Sequence, residues 1–134
     1  MKYFDETNEI LKPYEDYGRY VIYSIDKKNR KAGLELNFDE CQTIDEASAL
    51  INDALATAFE KYELSKVYVN VIRDNYLMYN ILSRFNFVTE AIHRGEYYDV
   101  SSHDVVYMTV MKHEWQLGGI RYNYKYDTYD VDIL

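Results

Sequence analysis

Two polar side chains interrupt otherwise apolar strand-like stretches: Glu35 lies between Leu34 and Leu36, and Asn70 between Val69 and Val71. A carboxylate among apolar neighbours is suited to general-base work, and a carboxamide in the same setting can orient a carbonyl or a water. The plainer alternative puts Glu35 on a solvated face and leaves Asn70 hydrogen-bonded within the core. His103 and Asp104 are adjacent, but neighbours on a strand point to opposite faces, so a structural role is expected rather than a dyad. His93, His103 and His113 lack the spacing of a metal site on one element, and with a single cysteine, Cys41, no metal is expected. Cys41 reads as an ordinary unpaired thiol.

The elements that must position these groups follow from two periods. Tyr20–Ile25 is strand-like, Lys27–Arg30 is a polar turn, and Ala32–Phe38 follows as the second strand of a hairpin. Thr43 with Glu46 three residues on is the capping-box pattern of a helix start. Ala47, Leu50, Ile51, Ala54, Leu55, Ala58 and Tyr62 then hold the three-four spacing of one buried helical face. Val67–Ile72 is a nearly continuous apolar run, the mark of a strand covered on both faces. From Asp74 the period returns to helical through Leu77, Met78, Ile81, Leu82 and Phe85, with Asp74 or Asn75 as cap. Asn86 should end this helix, because Asn tolerates the left-handed conformation of a C-terminal cap. Strand resumes at Phe87-Val88, and a charged hairpin leads to a last apolar strand through Val105–Met108. The order is strand, strand, helix, strand, helix, strand, strand, an α+β fold.

The chain has 134 residues, 48% of them hydrophobic, which suits one domain with a real core. Its boundaries are read as an arm over 1–18, a domain over 19–115 and a tyrosine-rich tail over 116–134. Lys and Arg number 15 against 23 Asp and Glu, and a net charge of −8 argues against nucleic acid or an anionic membrane as partner. A cationic or amine ligand, or a protein, suits it better. No apolar run approaches a membrane span and no signal peptide is evident, so a cytoplasmic location is expected. Ile10 and Leu11 are read as a short helical turn, and Tyr122, Tyr124 and Tyr126 as one more strand released by Gly118-Gly119.

The strand, capped helix and resumed strand at Asn86-Phe87, followed by Glu90, Arg94, Tyr97 or Tyr98, His103-Asp104 and Glu114-Trp115, resemble the C-terminal half of the GNAT N-acetyltransferases. The branch most similar acetylates ribosomal-protein N-termini and small amines. The resemblance implies a GNAT-like (acyl-CoA N-acyltransferase) fold, shortened here before the hairpin by a strand and two helices. It implies acetyl-CoA as cosubstrate, with Asn37, Phe38, Thr43, Ile44 and Asn75 at the cofactor. It also implies Glu35 as base toward a primary amine and Asn70 in the central cleft. A sheet without its first strand would leave an edge unpaired, so a homodimer is expected.

Two departures weigh on that picture. The loop that in the family carries glycines and a basic residue for the pyrophosphate is here Asn37–Glu46, without glycine, Lys or Arg and with Asp39, Glu40, Asp45 and Glu46. A carboxylate about 5 Å from a phosphate oxygen costs on the order of 3 kcal/mol at a dielectric of about 20. The tyrosine that many members place four residues before the Gly of Gly-Phe is Leu82 here, leaving Tyr79, one turn earlier, as a substitute catalytic hydroxyl. The sequence therefore favours a binding module with an eroded acetyl-CoA site, the alternative being an active N-acetyltransferase.

Overall fold

The computed structural model describes residues 13–117. A six-stranded sheet in the order β1-β2-β3-β4-β6-β5 organises them. Its strands are β1 (Glu15–Asp16), β2 (Tyr20–Asp26), β3 (Lys31–Leu36), β4 (Lys66–Ile72), β5 (Val88–Asp99) and β6 (Ser101–Met111). Two helices connect them, α1 (Ile44–Ala56), which runs on into a π-helical turn over Thr57–Lys61, and α2 (Tyr76–Ser83). All neighbouring strands are antiparallel except β3 and β4.

The helical face is the one the spacing predicts: Ala47, Leu50, Ile51, Ala54, Leu55 and Ala58 are buried and Tyr62 is half-buried. They pack on Ile22, Leu34, Val67, Val69, Val71, Val106, Met108 and Val110, together with Ile81 and Leu82 of α2, in one core cluster. Both helices thus cover the same face of the sheet. Leu82 is fully enclosed in that core, which accounts for an aliphatic residue there. Asn86 adopts φ of +70° and Phe87 N–H donates to the Leu82 carbonyl at 3.3 Å, closing α2 as expected for a left-handed cap. The Asn86 amide also donates to the Glu114 carbonyl at 2.9 Å. Residues 112–117 make a helical turn after β6. It returns Trp115 to the core side, where its ring lies 5.5 Å from Phe59 and its N–H donates to Asn52 at 3.1 Å.

The structure differs from the sequence reading at the start of the chain. Within residues 13–18, read as part of an N-terminal arm, Glu15 and Asp16 join the sheet by pairing with Ile22 and Val21, and Ile25 N–H donates to the Pro13 carbonyl at 3.1 Å. Gly18, at φ of +86°, makes the reversal into β2. The outer edge of β2 is therefore paired within the chain over Val21–Ile22, where an open edge was expected. The readings of Ile10-Leu11 and of Tyr122–Tyr126 lie outside the described residues.

Candidate active site

The one parallel pairing in the sheet is short. β3 and β4 match only over Lys31–Gly33 against Lys66–Tyr68, after which each strand stays with its outer neighbour, β3 with β2 and β4 with β6. The two arms of the sheet part beyond Gly33 and Tyr68, and the N-termini of α1 and α2 stand over the opening. Helix starts are fixed there by side-chain caps. Glu46 N–H donates to Thr43 Oγ1 at 3.1 Å, Gln42 N–H donates to Glu46 Oε2 at 2.8 Å, and Met78 N–H donates to Asn75 Oδ1 at 3.1 Å. Asn75, rather than Asp74, is the cap of α2.

A crevice of about 350 Å³ lies between these caps, lined by Phe38, Cys41, Gln42, Thr43, Ile44 and Ala47 from one side and Asn75, Leu77, Met78 and Ile81 from the other. Four of the residues assigned to a cofactor by resemblance, Phe38, Thr43, Ile44 and Asn75, are brought together in it. Asn37 is not among the lining residues; its Oδ1 accepts the Asp39 N–H at 2.9 Å and so shapes the loop instead. Crevices at the carboxyl ends of parallel strands, where connections diverge, are the usual ligand sites of such sheets.

Asp39, Glu40, Asp45 and Glu46 are all exposed around this mouth. The basic partner that the loop lacks in sequence comes from the start of β2: Arg19 Nη2 lies 3.1 Å from Cys41 Sγ, and the Arg19 carbonyl accepts the Asn37 N–H at 2.9 Å. Sequence spacing hid it, because Arg19 is 22 positions from Cys41. Arg73, the other basic residue near the opening, is paired with Asp104 at 3.0 Å. The Gly95 N–H first, and Arg73 second, hold the Asp104 carboxyl below the ordinary carboxylate range.

Arg73 lines a second crevice, of about 620 Å³, with Tyr76, Tyr79, Asn80, Thr89, Ile92 and Val106. Tyr79 is thereby separated from the first crevice. His103 and Asp104 do not form a dyad: Asp104 engages Arg73 and Gly95, while His103 lies 3.9 Å from Asp74 and 3.3 Å from the Asp99 carbonyl.

Glu35 and Asn70 are both half-buried, on strands that flank the parting of the sheet and on the face away from the helices. Asn70 Nδ2 donates to Tyr23 Oη at 3.3 Å. An aromatic row continues across this face: Tyr23 meets Tyr68 edge-on at 6.0 Å, Tyr68 lies 5.1 Å from Tyr107, and His93 meets Tyr107 edge-on at 6.2 Å. Burial pushes the Tyr68 and Tyr107 phenols upward. Beside the row, Lys66 Nζ reaches Glu90 at 3.1 Å and Thr109 Oγ1 donates to the other Glu90 oxygen, which holds the Glu90 carboxyl below its usual range. Tyr23, like Arg19, was not singled out by sequence reasoning. Its signal was a glycine, Gly33, directly opposite it in the hairpin register.

No family model matches this sequence and no curated protein matches it. Solved structures do. A spermidine N-acetyltransferase from Vibrio cholerae, in complex with CoA and spermine, is similar at 24% identity over 72% of this chain and 59% of its own, with a TM-score of 0.67. A structure described as a probable acetyltransferase is similar at 26% identity over 72% of this chain and 55% of its own, with a TM-score of 0.63. The chain spans less than two thirds of the length of either. The mixed sheet, its parting between β3 and β4 and the two helices over it are the GNAT-like, acyl-CoA N-acyltransferase fold.

Proposed function

We propose that this chain is a GNAT-type N-acetyltransferase that takes the acyl carrier in the crevice between α1 and α2 and a primary amine on the opposite face. The observation that carries the reading is the gathering of Phe38, Thr43, Ile44 and Asn75 around one crevice at the point where β3 and β4 part. That lining, largely apolar with backbone and cap groups at its rim, suits the pantetheine of acetyl-CoA. The diphosphate fits less well, since Asp39, Glu40, Asp45 and Glu46 surround the α1 terminus and Arg19 is the one cation that reaches the loop in a described contact. The affinity expected is about a millimolar or weaker, roughly 4 kcal/mol of standard binding free energy or less.

Amide formation takes one proton from the amine and returns one to the leaving sulfur. Glu35 is the proposed acceptor of the first and Asn70 the group that orients the acyl carbonyl; the second comes from solvent, since Leu82 is enclosed in the core and Tyr79 lines the other crevice. The net charge of −8 favours a cationic acceptor, and a fold neighbour binds spermine. A second reading, a binding module without catalysis, is favoured by the same acidic rim and by Leu82. We place the protein in the cytoplasm; no helix of the described residues is long and apolar enough to cross a membrane. A homodimer also belongs to the proposal, through the outer edge of β5, whose described partner is β6 alone.

Calorimetry with acetyl-CoA at low and high salt, with an acetyl-transfer assay using spermidine, tests the reading. Weak binding that strengthens with salt is expected from the acidic rim, and Glu35→Gln should abolish transfer while leaving binding unchanged. Absence of any acetyl transfer at saturating amine and tens of millimolar acetyl-CoA would overturn the enzyme reading, and absence of binding at that concentration the cofactor site.

A further inference from the structure

Tyr23 is only 2% exposed although it stands on the helix-free face of the sheet. Tyr14 and Tyr68 pack against its cluster, and Gly33 lets the ring lie down on the sheet. Tyr23 and Gly33 are directly paired between β2 and β3, and a Cβ at Gly33 would lie 2.4 Å from Tyr23 Cζ, well inside contact distance. The phenol ring therefore lies across the glycine backbone and over β3. Its hydroxyl emerges on the far side, at β4, where it accepts from Asn70 Nδ2 at 3.3 Å. Tyr68 meets the ring edge-on at 6.0 Å and 82° and holds it from the β4 side.

The place of this crossing matters. Gly33 and Tyr68 are the last residues through which β3 and β4 pair, so Tyr23 bridges the two arms of the sheet where their backbone ladder ends. Asn70 sits two residues beyond that point on β4, and Glu35 two residues beyond it on β3. A carboxamide on a strand bordering an opening is free to turn about its side-chain bonds unless a partner holds it. A 3.3 Å hydrogen bond is a long one, but this acceptor is seated on a glycine and flanked by an aromatic ring, so it does not follow the carboxamide when that turns.

We propose that Tyr23 is a positioning residue, which fixes the Asn70 carboxamide in the parting of the sheet, and that Gly33 is required because it gives the Tyr23 ring its seat. The inference rests on the acyl-transfer reading above for its catalytic consequence, and on geometry alone for the hold on Asn70. Orientation of this kind governs turnover more than ground-state binding of the acyl carrier.

Two measurements on the full chain separate these parts. In ¹⁵N-labelled protein, the Asn70 side-chain amide signals are expected to shift, and their solvent exchange to quicken, in Tyr23→Phe, which keeps the ring on Gly33 and removes only the hydroxyl. Unmoved signals would overturn the proposal. In the acetyl-transfer assay, Tyr23→Phe is expected to lower kcat about ten-fold with KM for acetyl-CoA unchanged. Asn70→Ala should lose as much, and the double variant no more than Asn70→Ala alone. Losses that multiply in the double variant would show that Tyr23 acts independently of Asn70 and would also overturn the proposal. A wild-type protein that moves no acetyl group would overturn the acyl-transfer reading instead, and the amide signals would then decide by themselves whether Tyr23 holds Asn70.

Discussion

The two faces of the sheet are built from the same strands by opposite rules. The face under α1 and α2 carries one apolar cluster that reaches from Ile22 to Val110. The other carries Tyr23, Glu35, Tyr68, Asn70, Glu90 and Tyr107: a hydrogen bond joins Asn70 to Tyr23, ring contacts run from Tyr23 through Tyr68 to Tyr107, and Lys66 pairs with Glu90. Burial without direction gives the first face its free energy. Direction gives the second its geometry, since hydrogen bonds and ring edges contribute little net stability but fix orientation. A fold that separates the two in this way can vary its chemistry on one face while its stability rests on the other.

The largest effect should come from the helix-covered face. Phe59 is fully buried against Trp115, and Phe59→Ala should destabilise by about 3–5 kcal/mol in urea unfolding, whereas Tyr107→Ala on the other face should cost a fraction of that. Equal losses would break the comparison.

A smaller effect tests the join at the end of α2. Asn86→Ala should cost about 1–2 kcal/mol for placing a Cβ-bearing residue without a compensating side chain at a φ of +70°, besides the bond to Glu114. Asn86→Gly should cost only the latter. Similar losses in the two variants would show that the side-chain bond, and not the backbone angle, selects asparagine.

The smallest effect sharpens the picture of the helix-free face. Thr109 donates to Glu90 and is the first cause of its lowered pKa, with Lys66 adding to it. A carboxyl depressed on folding contributes stability that is complete above its ordinary value of 4.5 and is lost as pH falls through the folded value. Thr109→Val should therefore lie below wild type in stability at pH 7, and the two curves should draw together in acid. A constant offset at all pH values would mean that the valine disturbs packing alone.

Much of this architecture was legible in the sequence. The Thr43–Glu46 cap, the buried face of α1 and the left-handed residue at Asn86 each follow from neighbours a few positions apart. What escaped the reading depended on distant pairings. Residues 13–18 have too few apolar positions to announce a strand, and Glu15 and Asp16 join the sheet because β2 offers backbone partners. Arg19 reaches the loop at Cys41, and Tyr23 reaches Asn70, only once the hairpin register is set. Of the candidate site, Phe38, Thr43, Ile44 and Asn75 were singled out through resemblance, and what local order showed of them was the caps at Thr43 and Asn75. That Tyr79 lines the second crevice was not legible, because its side of α2 depends on how the helix is rotated against β5 and β6.

Under the proposed function, the cap at Glu46 would tie ligand affinity to folding. In the proposed acyl-carrier site, the carboxylate that would repel a diphosphate from the mouth of the crevice is the same one that accepts the Gln42 N–H and closes the first turn of α1. Removing that charge to admit the anion would loosen the helix whose N-terminus must receive it. Any route to tighter binding therefore runs first through Asp39, Glu40 or Asp45, and an exchange at Glu46 becomes tolerable only when the bound anion itself takes over the part of the cap.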